Sequence, residues 1–134
     1  MKKAYSTSRL DSLLLVEDWY TVRVLDGVDL NLPGIYEWTI EGVGTYIGKY
    51  TRISRPLREY QRNIAKIRLK HPYRPKNPEG FRRIHRALAE AQGGKVTLTI
   101  LENVAPEILN AREAELIRER GTLNGKASEK GKQE

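Results

Sequence analysis

The stretch from Pro33 to Lys49 constrains the fold more than any other part of the chain. Its first half, residues 33–40, is rich in aromatic and β-branched side chains, and its last residues have the same character, which is typical of β-strands. Between them, residues 41–44 read Glu-Gly-Val-Gly and are typical of a turn. The pattern predicts a β-hairpin that places Tyr36 and Tyr46 on adjacent strands.

The remaining elements follow from apolar periodicity and from glycine and proline positions. A helix is predicted from Arg55-Pro56 to about Leu69, because Leu57, Tyr60 and Ile64 recur at helical spacing. Further predicted elements are a helix over residues 80–92 that buries Phe81, Ile84 and Leu88, a strand over residues 95–101 and a helix over residues 106–120. The order is ββααβα. It predicts an α+β or α/β sandwich in which helices flank a small antiparallel or mixed sheet.

The ends of the chain are predicted to be additions to this unit. Residues 1–32 form an N-terminal extension, with a short helix from Arg9 to about Glu17. It is followed by a β-hairpin, Thr21–Leu25 with Val28–Leu32, around the turn-forming Asp26-Gly27. Residues 125–134 are polar and lack apolar anchors, so we expect a disordered tail.

The positive charge of the chain is concentrated in its middle. The formal net charge is +7, and residues 49–90 contain thirteen Lys or Arg against three Asp or Glu, a local balance of +10. Such a distribution is expected for a protein that binds a polyanion, although a solvated surface is the alternative. The candidate nucleic-acid-binding residues on the two central helices are Arg62, Lys66, Arg82, Arg83 and Arg86.

Several classes of protein and site are disfavoured by the composition. The chain has no cysteine, so it can form neither a disulfide nor a thiolate metal site. Its apolar runs are shorter than a membrane span, and we expect no membrane association and a cytoplasmic location. His71 and His85 do not have a metal-ligand spacing.

Glu113 is the carboxylate whose position is least ordinary. In the third predicted helix, Leu109, Leu116 and Ile117 mark the buried face, and Glu113 lies between them. A carboxylate close to a packed face needs a partner, because burying an unpaired charge is costly. The partner is either a metal ion or a basic side chain, such as an Arg of the first helix.

The two tyrosine motifs together resemble a known nuclease family. Gly34-Ile35-Tyr36 and Tyr46-Ile47-Gly48, in this order and followed by a basic helix, closely resemble the GIY-YIG nuclease family. The run from Arg112 to Ile117 is similar to the metal-binding segment of that family, and Asn124 matches the asparagine that closes its pattern. The resemblance covers residues 33–124. It implies a ββααβα domain that hydrolyses phosphodiester bonds of nucleic acids with Mg²⁺ or Mn²⁺.

The resemblance also implies roles for individual residues. Glu113 would hold the metal, Tyr46 would lie nearest the attacking water, and Tyr36 and Lys49 would support it. From the residues alone, both tyrosines could equally be strand core, and Asn124 could be an ordinary turn residue. The glycines of the motifs are expected to permit close packing.

The arginine of the family pattern has no clear counterpart. It is expected in the first turn of the first helix, eight residues after Gly48, where this chain has Pro56. Arg55 and Arg58 flank that position. We predict that Arg58 stabilises the phosphate, because it lies within the helix, and Arg55 is the alternative.

The predicted function is therefore a metal-dependent endonuclease acting on DNA, with RNA as a further candidate substrate. A nucleic-acid-binding module that does not cleave is the main alternative. A structural protein whose basic face binds an acidic protein is a third. Sequence specificity would require a homodimer or a targeting partner.

Overall fold

The computed structural model describes residues 19–91 and 95–124. The strands are β1 (Thr21–Val24), β2 (Gly34–Ile40), β3 (Gly44–Tyr50) and β4 (Val96–Asn103). The helices are α1 (Ser54–Arg68), α2 (Arg83–Glu90) and α3 (Leu109–Arg120), the last preceded by a 3₁₀ turn, Pro106–Ile108. The helix predicted over residues 9–17 and the disordered tail predicted over residues 125–134 lie outside the described residues.

The four strands form one mixed sheet in the order β1-β4-β2-β3. β2 is antiparallel to both of its neighbours, and β1 is parallel to β4. From β2 onward the elements follow the predicted order ββααβα. The prediction of an α+β domain with a small mixed sheet is thus confirmed.

Helices cover both faces of the sheet. Tyr36, Trp38 and Ile40 of β2 pack with Leu57 of α1 and Leu88 of α2 in the larger core. On the opposite face, the smaller core contains Ile35, Ile47, Val104, Leu109 and Leu116. β2 is buried on both faces because it is an interior strand, and its successive side chains alternate between the two cores.

The predicted N-terminal hairpin is wrong. Residues 25–28 do form a turn, with Gly27 at a φ of +84° and Val28 N–H donating to the Leu25 carbonyl oxygen. After the turn, however, residues 28–32 do not form a strand. β1 instead joins the main sheet, with Val22 opposite Leu98 and Val24 opposite Ile100 in parallel register.

Partners distant in sequence explain this difference. The carboxylate of Asp29 accepts from Asn31 N–H, and the side chain of Asn103 at the end of β4 accepts from Asp29 N–H. The Asn103 amide also donates to the carbonyl oxygens of Asp29, Leu32 and Pro33. Asn103 thereby satisfies backbone groups that a second strand would otherwise have paired.

The predicted helices are present with small changes at their ends. α1 and α3 begin and end within a few residues of the predicted positions, and Leu57, Tyr60 and Ile64 of α1 are buried as expected. α2 is shorter than predicted, since it begins only at Arg83. Phe81 therefore precedes the helix and is only partly buried, with its ring against Tyr73. Within the described residues, no helix has the length and apolar character needed to cross a membrane.

Candidate active site

The register of the β2–β3 hairpin sets the relative position of the two tyrosines. Tyr36 lies opposite Gly48, and Tyr46 lies opposite Trp38. Because side chains alternate along strands, both tyrosines point to the face covered by α1 and α2. Tyr36 and Tyr46 are therefore diagonal neighbours on adjacent strands, not residues directly opposite each other.

Tyr36 is part of the core. It is only 3% exposed, and its hydroxyl oxygen is 2.8 Å from that of Tyr60 on α1. Burial raises the pKa of Tyr36, and the charges of Tyr46 and Glu113 raise it further, against the opposing effects of Tyr60 and Arg82. The Tyr36 hydroxyl therefore stays protonated and has no open path to a substrate. Its role is to hold the strand against α1.

The two motif glycines permit this packing, as predicted. A Cβ atom on Gly48 would overlap the ring and hydroxyl of Tyr36. A Cβ atom on Gly34 would overlap the carbonyl oxygen of Glu102 and lie 2.7 Å from the Tyr50 hydroxyl. Both positions thus require a residue without a side chain.

Tyr46 is partly exposed and is held by an arginine of the segment before α2. Arg82 donates from Nη1 to the Tyr46 hydroxyl oxygen over 3.0 Å. The Arg82 guanidinium also lies 6.0 Å from the centre of the Tyr46 ring and 5.9 Å from that of Tyr60. Since the Tyr46 oxygen accepts from Arg82, its own proton points away from the guanidinium and can be donated to a bound oxygen atom.

His85 fixes the backbone of Arg82. The buried His85 ring accepts at Nδ1 from Arg82 N–H over 3.1 Å, and its Nε2 lies 3.4 Å from the Asn63 amide. Burial, followed by the positive charge of Arg82, lowers the pKa of His85 to about 4. The ring is therefore neutral, and because Nδ1 accepts from Arg82 N–H, its proton is on Nε2. Arg82 is a residue whose role at Tyr46 the sequence did not reveal.

Glu113 and Lys49 form the opposite half of the candidate site. Lys49 follows Gly48 on β3 and points to the face covered by α3, where its Nζ is 3.3 Å from Glu113 Oε1. The Lys49 side chain is 44% exposed and that of Glu113 is 20% exposed. The partner of the Glu113 carboxylate is thus Lys49, rather than an arginine of α1.

Two further ion pairs attach α3 to the sheet. Arg112 binds Glu102 of β4 through two hydrogen bonds, of 2.6 and 3.1 Å. Near the other end of α3, Arg120 Nε lies 2.7 Å from Oε2 of the buried Glu37, in ion-pair contact but not aligned for a hydrogen bond. Glu113 lies between these two attachments, so its backbone is held on both sides.

Asn124 has a structural role at the open edge of β3. Its side-chain amide accepts from Ile47 N–H over 2.8 Å and donates to the Ile47 carbonyl oxygen over 2.9 Å. Thr122 Oγ1 accepts from Thr45 N–H, and Leu123 N–H donates to the Thr45 carbonyl oxygen. Residues 122–124 therefore satisfy the outward-facing backbone groups of Thr45 and Ile47, and Asn124 holds the motif strand in place.

The two candidate arginines of α1 have different surroundings. Arg55 lines a cavity of about 340 Å³ together with Lys49 and Arg52. Arg58 is exposed, is not among the residues that line this cavity, and forms no hydrogen bond or ion pair with the described part of the chain. Arg55 thus shares a cavity with Lys49, and Arg82 contacts Tyr46, whereas Arg58 has neither connection to the candidate site within the described residues.

The predicted nucleic-acid-binding residues divide into three groups. Arg62 and Lys66 line a separate cavity beside α1. Arg83 is exposed, and Arg86 is engaged with Glu79, at 3.1 Å to its carboxylate. Arg82 belongs to the candidate site itself.

Glu113 is a candidate ligand for a divalent metal. No group of three or more His, Cys, Asp or Glu side chains that could hold a metal occurs within residues 19–91 and 95–124. Mg²⁺, however, binds through one or two carboxylates, with waters and substrate phosphate as its other ligands. Glu113 fits this role because it is partly exposed and only Oε1 is engaged by Lys49.

Comparison of the chain with models of protein families, with curated proteins and with solved structures gave no match.

Proposed function

We propose that this protein is a metal-dependent endonuclease of the GIY-YIG type that hydrolyses phosphodiester bonds in DNA in the cytoplasm. The observation that carries the proposal is the arrangement around β3. One strand presents Tyr46, with Arg82, on one face and Lys49, with Glu113, on the other. A phenol, two cations and a carboxylate are the groups needed to activate water and to neutralise charge on a phosphate.

Each group has a role that follows from its contacts. Arg82 is held by His85 and has a planar pair of donors, which suits it to bind a phosphate oxygen beside Tyr46. Tyr46 orients the water or the phosphate through its free proton.

Glu113 and Lys49 would act together on the other side of the strand. A divalent metal bound at Glu113 would supply Lewis acidity toward the phosphate. Lys49 engages only Oε1 of Glu113, so Oε2 would be the carboxylate oxygen that holds the metal, and the Lys49 ammonium group would add positive charge beside the phosphate. Asn124 and Tyr36 act through position only, since they fix β3 from its edge and from its buried face.

A non-cleaving nucleic-acid-binding module is the second candidate. One observation favours it: Lys49 already neutralises Glu113, and Arg82 already occupies the Tyr46 oxygen. A protein that only binds DNA would not need to break the Lys49–Glu113 pair or the Arg82–Tyr46 hydrogen bond. This alternative predicts salt-sensitive binding without cleavage, whichever metal is supplied.

The deciding experiment compares Glu113→Gln with Glu119→Gln on supercoiled plasmid, single-stranded DNA and RNA, with Mg²⁺, with Mn²⁺ and with EDTA. Glu119 is an exposed carboxylate of the same helix, so it controls for loss of charge on α3. We expect the wild type and Glu119→Gln to cut DNA only with metal, and Glu113→Gln to bind DNA but not to cut it. Cleavage by the wild type in EDTA, or by Glu113→Gln at the normal rate, would refute the proposed mechanism.

A further inference from the structure

A second basic cavity lies between α1 and the loop that connects it to α2. Its volume is about 380 Å³, and none of Tyr46, Lys49 and Glu113 lines it. Arg62 and Lys66 of α1 form one wall, and Tyr73 and Arg74 of the loop form another. The cavity is therefore built by parts of the chain that the candidate active site does not use.

The loop is fixed by its own hydrogen bonds. Tyr73 N–H donates to the Pro78 carbonyl oxygen, and Asn77 N–H donates to that of Arg74, each over 3.0 Å. Lys66 Nζ donates to the Tyr73 carbonyl oxygen over 3.0 Å and so ties the loop to α1. Three prolines, at positions 72, 75 and 78, restrict the backbone further. A loop held in this way presents Arg74 at little cost in conformational entropy.

The cavity carries more positive than negative charge. The Arg74 guanidinium lies 4.9 Å from the centre of the Tyr73 ring, and neither Arg74 nor Arg62 forms an ion pair within the described residues. Glu59 is the one carboxylate in the lining, against three cations. Arg74 Nη2 also donates to the Tyr73 hydroxyl over 3.5 Å, which leaves the other donors of its planar guanidinium for an anion.

A polymeric anion fits better than a small one. Glu59 lines this cavity and also the cavity of Lys49, Arg52 and Arg55, so the two basic cavities adjoin along α1. From Arg55 to Arg62 the helix rises roughly 10 Å, at 1.5 Å per residue. Because the charges of one strand recur about every 3.4 Å along the axis of a duplex, a length of this size can accommodate more than one phosphate. One strand of nucleic acid could therefore place separate phosphates in the two cavities.

We propose that the cavity of Arg62, Lys66 and Arg74 binds a backbone phosphate of the nucleic acid other than the phosphate of the bond that is cut. This inference rests on the proposed function only in its choice of nucleic acid as the ligand. Asn63 connects the cavity to the candidate site, since it lines the cavity and also contacts His85, which holds Arg82.

The first test measures the affinity for a fluorescent DNA duplex as a function of salt, for Arg74→Gln, Arg62→Gln and the control Arg118→Gln. Arg118 is an exposed arginine of α3, and its loss changes the net charge equally. We expect each of the first two variants to weaken binding several-fold and to reduce the slope of log K against log salt by about 0.9, the value for one phosphate. Arg118→Gln should leave the slope unchanged, and equal slopes in all three variants would overturn the proposal.

The second test locates the phosphate by replacing single phosphates of the duplex with neutral methylphosphonates. At one position, the methylphosphonate should weaken binding to the wild type but not to Arg74→Gln. The variant already lacks the contact with that phosphate, so removing the phosphate charge costs it nothing further. If no position behaves in this way, the cavity does not bind the backbone. Arg74-dependent binding of inorganic phosphate without any effect on DNA would also overturn the proposal.

These tests distinguish failure of the phosphate site from failure of the proposed nuclease function. If plasmid is never cut but Arg74→Gln and Arg62→Gln reduce the salt slope, the phosphate site stands and the nuclease proposal fails. If plasmid is cut but both variants behave like Arg118→Gln, the nuclease proposal stands and the phosphate site fails.

Discussion

On the side of the sheet covered by α1 and α2, Tyr46 is fixed by Arg82, which in turn is held by the buried His85. On the side covered by α3, Lys49 is fixed by Glu113. We call these the aromatic side and the ionic side of β3. The aromatic side depends on packing and on hydrogen bonds that Arg82 donates to uncharged acceptors. The ionic side depends on charge pairs between partly exposed groups, which salt weakens.

The comparison suggests a division of labour. The aromatic side is rigid and should place its groups in nearly the same way before and after substrate binding. The ionic side can be rearranged by a competing cation, because the Lys49–Glu113 pair is exposed and has only one contact. β3 thus carries a rigid group of residues on its aromatic side and a group on its ionic side that a bound cation can rearrange.

The largest expected effect concerns Arg82. If the aromatic side positions the phosphate, Arg82→Ala should lower the single-turnover rate of DNA cleavage by about 10²-fold or more, a typical cost of losing one such donor. Arg58→Ala is the matched control and should change the rate little, because Arg58 has no partner in the described part of the chain. A large loss of cleavage rate in Arg58→Ala, with no loss in Arg82→Ala, would contradict this prediction. It would support Arg58, the arginine that the sequence favoured.

The second prediction concerns the effect of pH on stability, which depends on the buried His85 of the aromatic side. The pKa of His85 is about 4, below its ordinary value, so the unfolded chain binds the proton more readily. The stability that neutral His85 contributes is therefore complete above about pH 6.5 and is lost as the pH falls toward 4, by up to about 3 kcal/mol. Urea unfolding at several pH values measures it. His85→Gln should lose less stability over the same range, and identical profiles would contradict the assignment.

The third prediction separates position from chemistry at the two tyrosines. Tyr36→Phe leaves the buried Tyr60 hydroxyl without its partner and should lower the free energy of unfolding by about 1–3 kcal/mol. The double variant Tyr36→Phe, Tyr60→Phe should cost less than the sum of the two single variants. Tyr46→Phe should instead reduce cleavage while leaving stability nearly unchanged. A full loss of activity in a stable Tyr36→Phe protein would give Tyr36 a chemical role.

The smallest expected effect is on the ionic side. Glu37→Gln removes the partner of the half-exposed Arg120 and should lower the free energy of unfolding by about 1 kcal/mol in dilute salt. The difference from the wild type should shrink in high salt, since salt screens the pair. Glu41→Gln, in the exposed hairpin turn, is the control and should be neutral. A difference that does not depend on salt would place Glu37 among the packing residues of the smaller core.

Sequence was sufficient for those elements that depend on nearby residues. The β2–β3 hairpin, α1 and α3 follow from alternation, from helical spacing and from turn residues within a few positions of each other. The position of Glu113 beside a packed face was also predicted from the apolar spacing of its own helix. Local patterns of this kind are visible without knowing the fold.

The errors concern partners that are far apart in sequence. The hairpin predicted around Asp26-Gly27 fails because β1 pairs with β4 and Asn103 satisfies the loop. The contact of Arg82 with Tyr46 was not predicted, because the two residues are 36 positions apart and are separated by α1. Lys49 and Glu113 were both singled out, but their direct contact depends on how α3 lies against β3.

The cover that residues 122–124 form over β3 has a consequence during synthesis of the chain. Thr45 and Ile47 leave the ribosome about 77 residues before Thr122 and Asn124, the residues that pair with them. At 5–20 residues per second, this interval lasts roughly 4–15 seconds. Throughout it, the motif strand presents unpaired backbone groups that could pair with another nascent chain. Removal of residues 122–134 would make that exposure permanent, so the truncated protein should associate through β3 even if every group of the candidate site is intact.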